Sequence, residues 1–155
     1  MSPTLQQDIR QRKPFGSLEQ EAYLSLVRGA WALTDMVEDL LKPYGISATQ
    51  YNVLRILRGA GDTGLCRNEL RDRMLTRMPD MTRLLDRMEE AGLVTRARER
   101  DDRRMVLTRI TEPGRELLAK LDRPIDALHR KQLAGLDADQ LRALIDLLTL
   151  VREGG

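Results

Sequence analysis

The sequence predicts a mainly α fold of about six helices carrying a small, two- to three-stranded β wing. Three observations predict it. Leu, Met, Ala and Val supply most of the apolar content and aromatics are only 3% of the residues, a balance that suits helix packing better than sheets. Apolar residues recur at helical spacing along most of the 155 residues. One helical run, with Pro79 in its first turn, ends at Gly92 and passes directly into two alternating stretches, Leu93–Arg98 and Met105–Ile110, around a polar tip, Glu99–Arg104. A helix that ends at a glycine and runs into a basic hairpin is the layout of a winged helix-turn-helix, one part suited to the major groove of DNA and the other to the minor groove.

Residues 1–16 read as a loose, flexible arm, broken by Pro3, Pro14 and Gly16. Ser17-x-x-Gln20 is a capping box that starts the first long helix, which runs to about Lys42 on Leu18, Ala22, Leu26, Leu33, Val37 and Leu40. Pro43-Tyr44-Gly45 stops it. A second box, Ser47-x-x-Gln50, opens a helix with Tyr51, Val53, Leu54 and Leu57 on its apolar face. A Gly-rich turn, Gly59–Gly64, leads to a short strand at Gly64–Cys66 and a third helix, Arg67–Met74. Pro79 is expected in the first turn of the fourth helix, which ends at Gly92. After the hairpin, Thr111 caps a long helix with Pro113 in its first turn, and Pro124 marks a point where that helix can bend. Asp137-x-x-Gln140 opens the last helix, with Leu141, Leu144, Ile145, Leu148 and Val151 on one side.

The formal net charge is +2. Residues 67–109 hold 12 basic against 9 acidic residues and the rest of the chain 14 against 15, so the excess positive charge sits in the hairpin-bearing segment. Such an excess suits phosphate, although charged residues also decorate ordinary solvated helix faces. Met1–Phe15 lacks a continuous apolar stretch of the secretory kind, and no run approaches the ~20 apolar residues that span a bilayer. The single cysteine, Cys66, rules out an internal disulfide. Together these suit a cytoplasmic protein without a membrane partner.

On the fourth helix, Met81, Leu84, Leu85 and Met88 share one face and should pack inward. Arg77, Asp80, Thr82, Arg83 and Arg87 are then candidates for the DNA side. Arginine grips guanine O6 and N7 in bidentate fashion, and threonine contacts a phosphate or a thymine methyl. The competing use of Arg83 and Arg87 is a salt bridge to Asp86, Glu90 or the wing, and one of the two is expected to be structural. At the wing tip Arg100, Arg103 and Arg104 can reach phosphates or a narrow minor groove. Asp102 would repel phosphate unless it stabilises the wing by holding a neighbouring arginine, Arg104 or one on the fourth helix, through a charge-assisted hydrogen bond.

The string Gln50-Tyr51-x-Val53-Leu54, Gly64-Leu65, Glu69-Leu70, Thr82 through Glu89, Gly92-Leu93-Val94 and Asp102-Arg103-Arg104 ending in Ile110-Thr111-x-x-Gly114 resembles the MarR family of bacterial regulators. The resemblance covers roughly residues 17–152 and is most specific from Thr82 to Thr111, with Met88 and Ile110 standing where the family usually shows leucine. It implies a homodimeric winged-helix repressor on a palindromic operator, often released by a small aromatic or phenolic ligand. By the same resemblance Thr82 and Arg83 match the DNA-reading helix, and Asp102 with Arg104 the wing motif.

A ligand pocket in such a dimer would draw on Trp31, Met36, Tyr44 and Tyr51, with His129 a weaker candidate, since Trp and Tyr join an apolar body to one polar handle. The competing reading is that aromatics at helical spacing are core. Some relatives sense peroxides through a cysteine near the start of the first helix; Cys66 lies elsewhere, and a lone cysteine in a short strand is usually buried and inert. One His, one Cys and no Gly-rich phosphate loop leave too few parts for catalysis, a metal site or a cofactor site.

The leucine-rich faces of the outer helices exceed what a small winged helix needs. The expected partition is therefore an arm at 1–16, a dimerisation region at 17–46 and 111–155, and a DNA-binding winged helix-turn-helix at 47–110. The expected function is that of a transcriptional regulator, against two alternatives: a winged helix that docks an acidic protein surface, and a weakly specific architectural DNA binder.

Overall fold

The computed structural model describes residues 4–154. Pro3, part of the expected arm, and the final residue of the expected dimerisation region lie outside them. The described chain has seven α-helices and one three-stranded sheet, and it forms two compact units, one up to Val53 and one from Leu54.

In the first unit the expected arm carries one helical turn, α1 (Leu5–Asp8). Thr4 and Gln7 cap it reciprocally: the Thr4 hydroxyl accepts from the Gln7 N–H, and the Gln7 side chain accepts from the Thr4 N–H. Asp8 then pairs with Arg28 of α2 (Leu18–Leu41) at 3.0 Å. Ser17 caps α2 by accepting from the Gln20 N–H at 3.0 Å, whereas the Gln20 side chain accepts from Gly16, one residue upstream of a reciprocal box. A 3-10 turn at Lys42–Tyr44 ends α2. The second box closes as expected, with Ser47 and Gln50 each accepting the other's backbone N–H, and starts α3 (Ala48–Ala60). The Glu38 carboxylate accepts from the Ala48 N–H, a favourable charge at a helix N-terminus.

The second unit contains β1 (Leu65–Cys66), α4 (Arg67–Asp72), α5 (Met81–Glu90), β2 (Val94–Arg98), β3 (Val106–Ile110), α6 (Glu112–Gln132) and α7 (Ala138–Glu153). The antiparallel sheet runs β1-β3-β2, with Cys66 opposite Leu107 and Arg96 opposite Thr108. Leu57, Leu70, Met88, Leu118 and Leu121 are fully buried. Arg58 of α3 and Asp122 of α6 meet through two hydrogen bonds of 3.0 and 2.9 Å, and the Arg58 guanidinium holds the Asp122 carboxyl below its ordinary range.

Pro79 is not in the first turn of α5. Asp80 is the N-cap, its carboxylate accepting from the Arg83 N–H at 3.1 Å, so the helix begins at Met81, two residues past Pro79. The other end follows the expected stop. Gly92 takes φ of 75°, the left-handed conformation glycine adopts freely, and Leu93 donates to the Met88 carbonyl in a Schellman turn. Thr111 then locks this corner to α6: its hydroxyl donates to the Gly92 carbonyl at 2.6 Å and accepts from the Gly114 N–H at 3.1 Å. A Cβ on Gly114 would lie 2.5 Å from the Leu93 carbonyl oxygen, so only glycine fits the approach. α6 runs on through Pro124 to Gln132. α7 opens on the Asp137–Gln140 box and buries no residue.

Candidate nucleic-acid interface

The α5 helix sorts its residues by face. Met81, Leu85 and Met88 are buried and Leu84 half-buried, while Thr82, Arg83, Asp86 and Arg87 are exposed. Asp80 caps the helix, and its second oxygen lies 3.6 Å from Arg83 Nε, so Arg83 is the arginine with an ion pair, and its partner is Asp80, one turn back, and not Asp86, Glu90 or the wing as expected. No carboxylate pairs with Arg87 among the described residues. Arg77 falls in the exposed loop before the helix, not on the helix itself.

Asp86 is engaged by a residue that sequence reasoning missed. Arg96 of β2 reaches back over α5 and donates from Nη2 to both Asp86 Oδ1 and Glu89 Oε1, while its backbone N–H donates to Glu89 Oε2 at 2.8 Å. The Arg96 side chain is only 22% exposed. Hydrogen bonds from the Arg96 side chain, then its backbone, hold the Glu89 carboxyl below its ordinary range. The clamp ties α5 to the first strand of the wing. Its signal was present in the pattern: Asp86 and Glu89 share a helical face at i, i+3, and Arg96 lies two residues after Val94 on the same inward face of β2.

The wing tip is a backbone construction. Glu99 N–H donates to the Met105 carbonyl at 2.8 Å and Met105 N–H to the Asp102 carbonyl at 3.0 Å. The Asp102 carboxylate accepts from the Arg104 backbone N–H at 3.0 Å, not from a guanidinium as expected. The cause is local: an aspartate side chain reaches the N–H two residues on and closes an Asx turn. Arg98, also missed, donates from Nη1 to the Arg103 carbonyl at 2.7 Å. These bonds fix the tip while leaving the guanidinium groups of Arg100, Arg103 and Arg104 exposed, with no ion pair among the described residues.

Between β1, the start of α4, α5 and the wing lies an open cleft of about 520 Å³, with Arg67, Thr82, Leu85, Arg96, Arg104 and Met105 on its walls. A second hollow of about 250 Å³, between α4 and the loop before α5, shares Arg67 and Thr82 with it. The pattern is a ridge of uncommitted cations on a firmly braced helix and hairpin. It suits a polyanion.

Comparison with known proteins agrees. The model of the MarR family matches residues 44–105. The HTH-type transcriptional regulator TtmR of Methylorubrum extorquens (strain PA1) is 31% identical over 88% of this chain and 68% of its own. The chain belongs to the MarR family. The HTH-type transcriptional repressor IacR of Pseudomonas putida is 28% identical over 83% of this chain and 75% of its own. A MarR mutant from E. coli, complexed with operator DNA, superposes with a TM-score of 0.75 at 27% identity, covering 81% of this chain and 89% of that one. The matched stretch spans about two thirds of the length of the first curated relatives. As a MarR-family member the chain is a DNA-binding transcriptional regulator and not an enzyme, and none of the described helices is long and apolar enough to cross a membrane.

The residues expected to line a MarR ligand pocket fall in the first unit. Trp31 is 57% exposed on α2 with the Arg28 guanidinium 5.0 Å from its ring centre, Met36 and Tyr44 are partly exposed, and Tyr51 is buried in α3. Neither cleft described above is lined by any of the four. His129 is exposed on α6 with Nδ1 3.0 Å from Gln132 Oε1. Cys66 is half-buried as the N-cap of α4. Its backbone N–H, then its thiol, hydrogen-bond to Glu69 and lower that carboxyl's pKa.

Proposed function

We propose that this regulator acts as a homodimer that sets two winged helices on a palindromic operator, represses transcription there, and is released by a small aromatic or phenolic ligand. The observation that carries the dimer is the apolar surface of the outer helices. Leu18, Tyr23, Val27 and Trp31 of α2 stand exposed, as do Ile145, Leu147, Leu150 and Val151 of α7, at 59 to 64% each for the last four. Exposed apolar side chains on each of these helices suit an interaction face, and a second copy is the economical partner for a self-complementary one. The first half of α6 is already buried in its own unit, so α2 and α7 are the parts of the expected dimerisation region left to meet a partner.

Arg83, Arg87 and Thr82 would enter the major groove. Arg77, Arg100, Arg103 and Arg104 would contact phosphate or the minor groove, with Asp80 as the helix cap and Asp102 as the wing's turn-former. The operator complex of the E. coli relative supports DNA as the partner, and the repressor named among the relatives supports the sign of regulation. Two recognition helices about 34–36 Å apart would fit successive major grooves. A ligand that prefers a dimer of another spacing lowers operator affinity by its differential affinity for the two states.

Fluorescence anisotropy with the DNA upstream of the chain's own gene and a scrambled duplex, at several salt concentrations, tests the reading. Selective, salt-steep binding is expected. The log–log salt slope should become shallower by about 0.9 for each phosphate that Arg103→Ala or Arg104→Ala leaves without its cation. Equal affinity for both duplexes would indicate an architectural binder, and no binding to either a protein-docking role. Trp31 is the single tryptophan, so its emission reports a phenolic acid, salicylate for instance, bound at the pocket proposed around Trp31, Met36, Tyr44 and Tyr51.

A further inference from the structure

Thr82 is the second residue of α5 and stands on the shared wall of both clefts. Its hydroxyl accepts a hydrogen bond from Arg67 Nη1 at 3.0 Å and donates to no protein acceptor among the described residues. A threonine inside a helix ordinarily turns its hydroxyl back to a carbonyl of the preceding turn; at the second position of α5 no such turn precedes it, and the hydroxyl meets a guanidinium. Arg67 is itself the first residue of α4, anchored behind Cys66, and no carboxylate pairs with it among the described residues. A guanidinium has only donors to offer, and a hydroxyl has one donor and two lone pairs. With one lone pair taken by Arg67, the hydroxyl proton is turned away from the cation and toward the groove. Donation into the oxygen also polarises the O–H, making it a better donor in its turn.

We propose that Arg67 is a positioning residue that presents Thr82 to DNA as a hydrogen-bond donor, so that the pair selects an electron-rich acceptor, a phosphate oxygen or a purine N7. The inference rests on the reading above that Thr82 faces DNA. It adds that Thr82 discriminates against the amino groups of adenine and cytosine, which a freely rotating hydroxyl would accept.

The test uses the full chain and a duplex selected by it from a randomised pool. Thr82→Val, which keeps the shape and removes the hydroxyl, is expected to weaken binding about fivefold, the worth of one hydrogen bond. Thr82→Ser should stay near the parent. Arg67→Met is expected to weaken binding by a similar factor in the parent and by at least about threefold less in the Thr82→Val background, with Arg67→Lys restoring most of the loss. Single 7-deazapurine or methylphosphonate substitutions in the duplex then identify the acceptor: one of them should weaken the parent and leave Thr82→Val unchanged. The inference is overturned if Arg67→Met costs the same factor in both backgrounds, if Thr82→Val binds like the parent, or if no duplex substitution separates the two proteins. The Arg103→Ala, Arg104→Ala variant keeps the failures apart. If it loses affinity while the Arg67 and Thr82 effects multiply, only the inference falls. If it loses nothing either, the reading of the whole surface falls with it.

Discussion

The helices α6 and α7 carry the same kind of apolar periodicity and meet different fates. α6 buries Gly114, Leu118, Leu121 and Ile125, whereas α7 buries nothing and leaves Ile145, Leu147, Leu150 and Val151 in water. α2 behaves like α7, burying only Leu41 of its 24 residues. Periodicity shows which face of a helix seeks cover; it does not say whether the cover lies in the same chain. Fully burying an aliphatic side chain is worth about 1.5–3 kcal/mol, so covering the α7 stripe would offset part of what association costs.

The largest expected effect separates these helices directly. Leu118→Ala should destabilise the second unit by about 2–5 kcal/mol, read as the shift in urea unfolding. Leu147→Ala, measured at concentrations where the chain is monomeric, should cost less than about 0.5 kcal/mol. Equal costs would erase the distinction. Next, Leu147→Asp with Leu150→Asp should halve the sedimenting mass, leave the circular dichroism of the fold in place, and weaken operator binding about a hundredfold through loss of the second half-site.

Two glycines give effects of opposite sign. Gly114→Ala meets the Leu93 carbonyl and the Ile110 side chain and should lose about 1–3 kcal/mol. Gly29→Ala in α2 meets nothing within 4 Å and should gain about 0.5–1 kcal/mol from helix propensity. Thermal unfolding of the two variants at one concentration checks both signs.

The smallest effect is the acid response of the second unit. Glu89 and Asp122 both have lowered pKa values in the fold, through Arg96 and Arg58. A depressed carboxylate stabilises the folded state above its unfolded pKa and loses that contribution as pH falls through its folded one. Stability should therefore decline as pH drops below about 4, with Glu89→Gln flattening part of that decline in acid titrations of unfolding. An unchanged acid limb in the variant would detach the Arg96 clamp from stability.

What could be read in the sequence was what is local. Capping residues sit three positions from their partners, so Ser47–Gln50, Thr111 and Asp137 placed helix starts correctly. The Gly92 stop and the alternation of the hairpin placed α5 and the wing. The same signal in Thr4-x-x-Gln7 was available for α1 and is obscured by the polar, Pro-bearing stretch around it. Pro79 misled because Asp80 competes for the same helix start and offers an acceptor that proline lacks. Side-chain pairing between elements left no such trace. Arg58 and Asp122 are 64 residues apart, and Arg67 meets Thr82 across 15. Such pairs depend on how helices and strands are set against one another. For that reason the sequence could nominate the exposed arginines of the wing but not separate them from Arg96 and Arg98, which brace it.

Sedimentation equilibrium of the purified chain, alone and with a palindromic duplex, tests the reading of the uncovered helices most directly. The expected result is twice the 17.7 kDa chain mass at micromolar concentration and two chains on each duplex. A single-chain mass under the same conditions, with one chain bound per duplex, would contradict it.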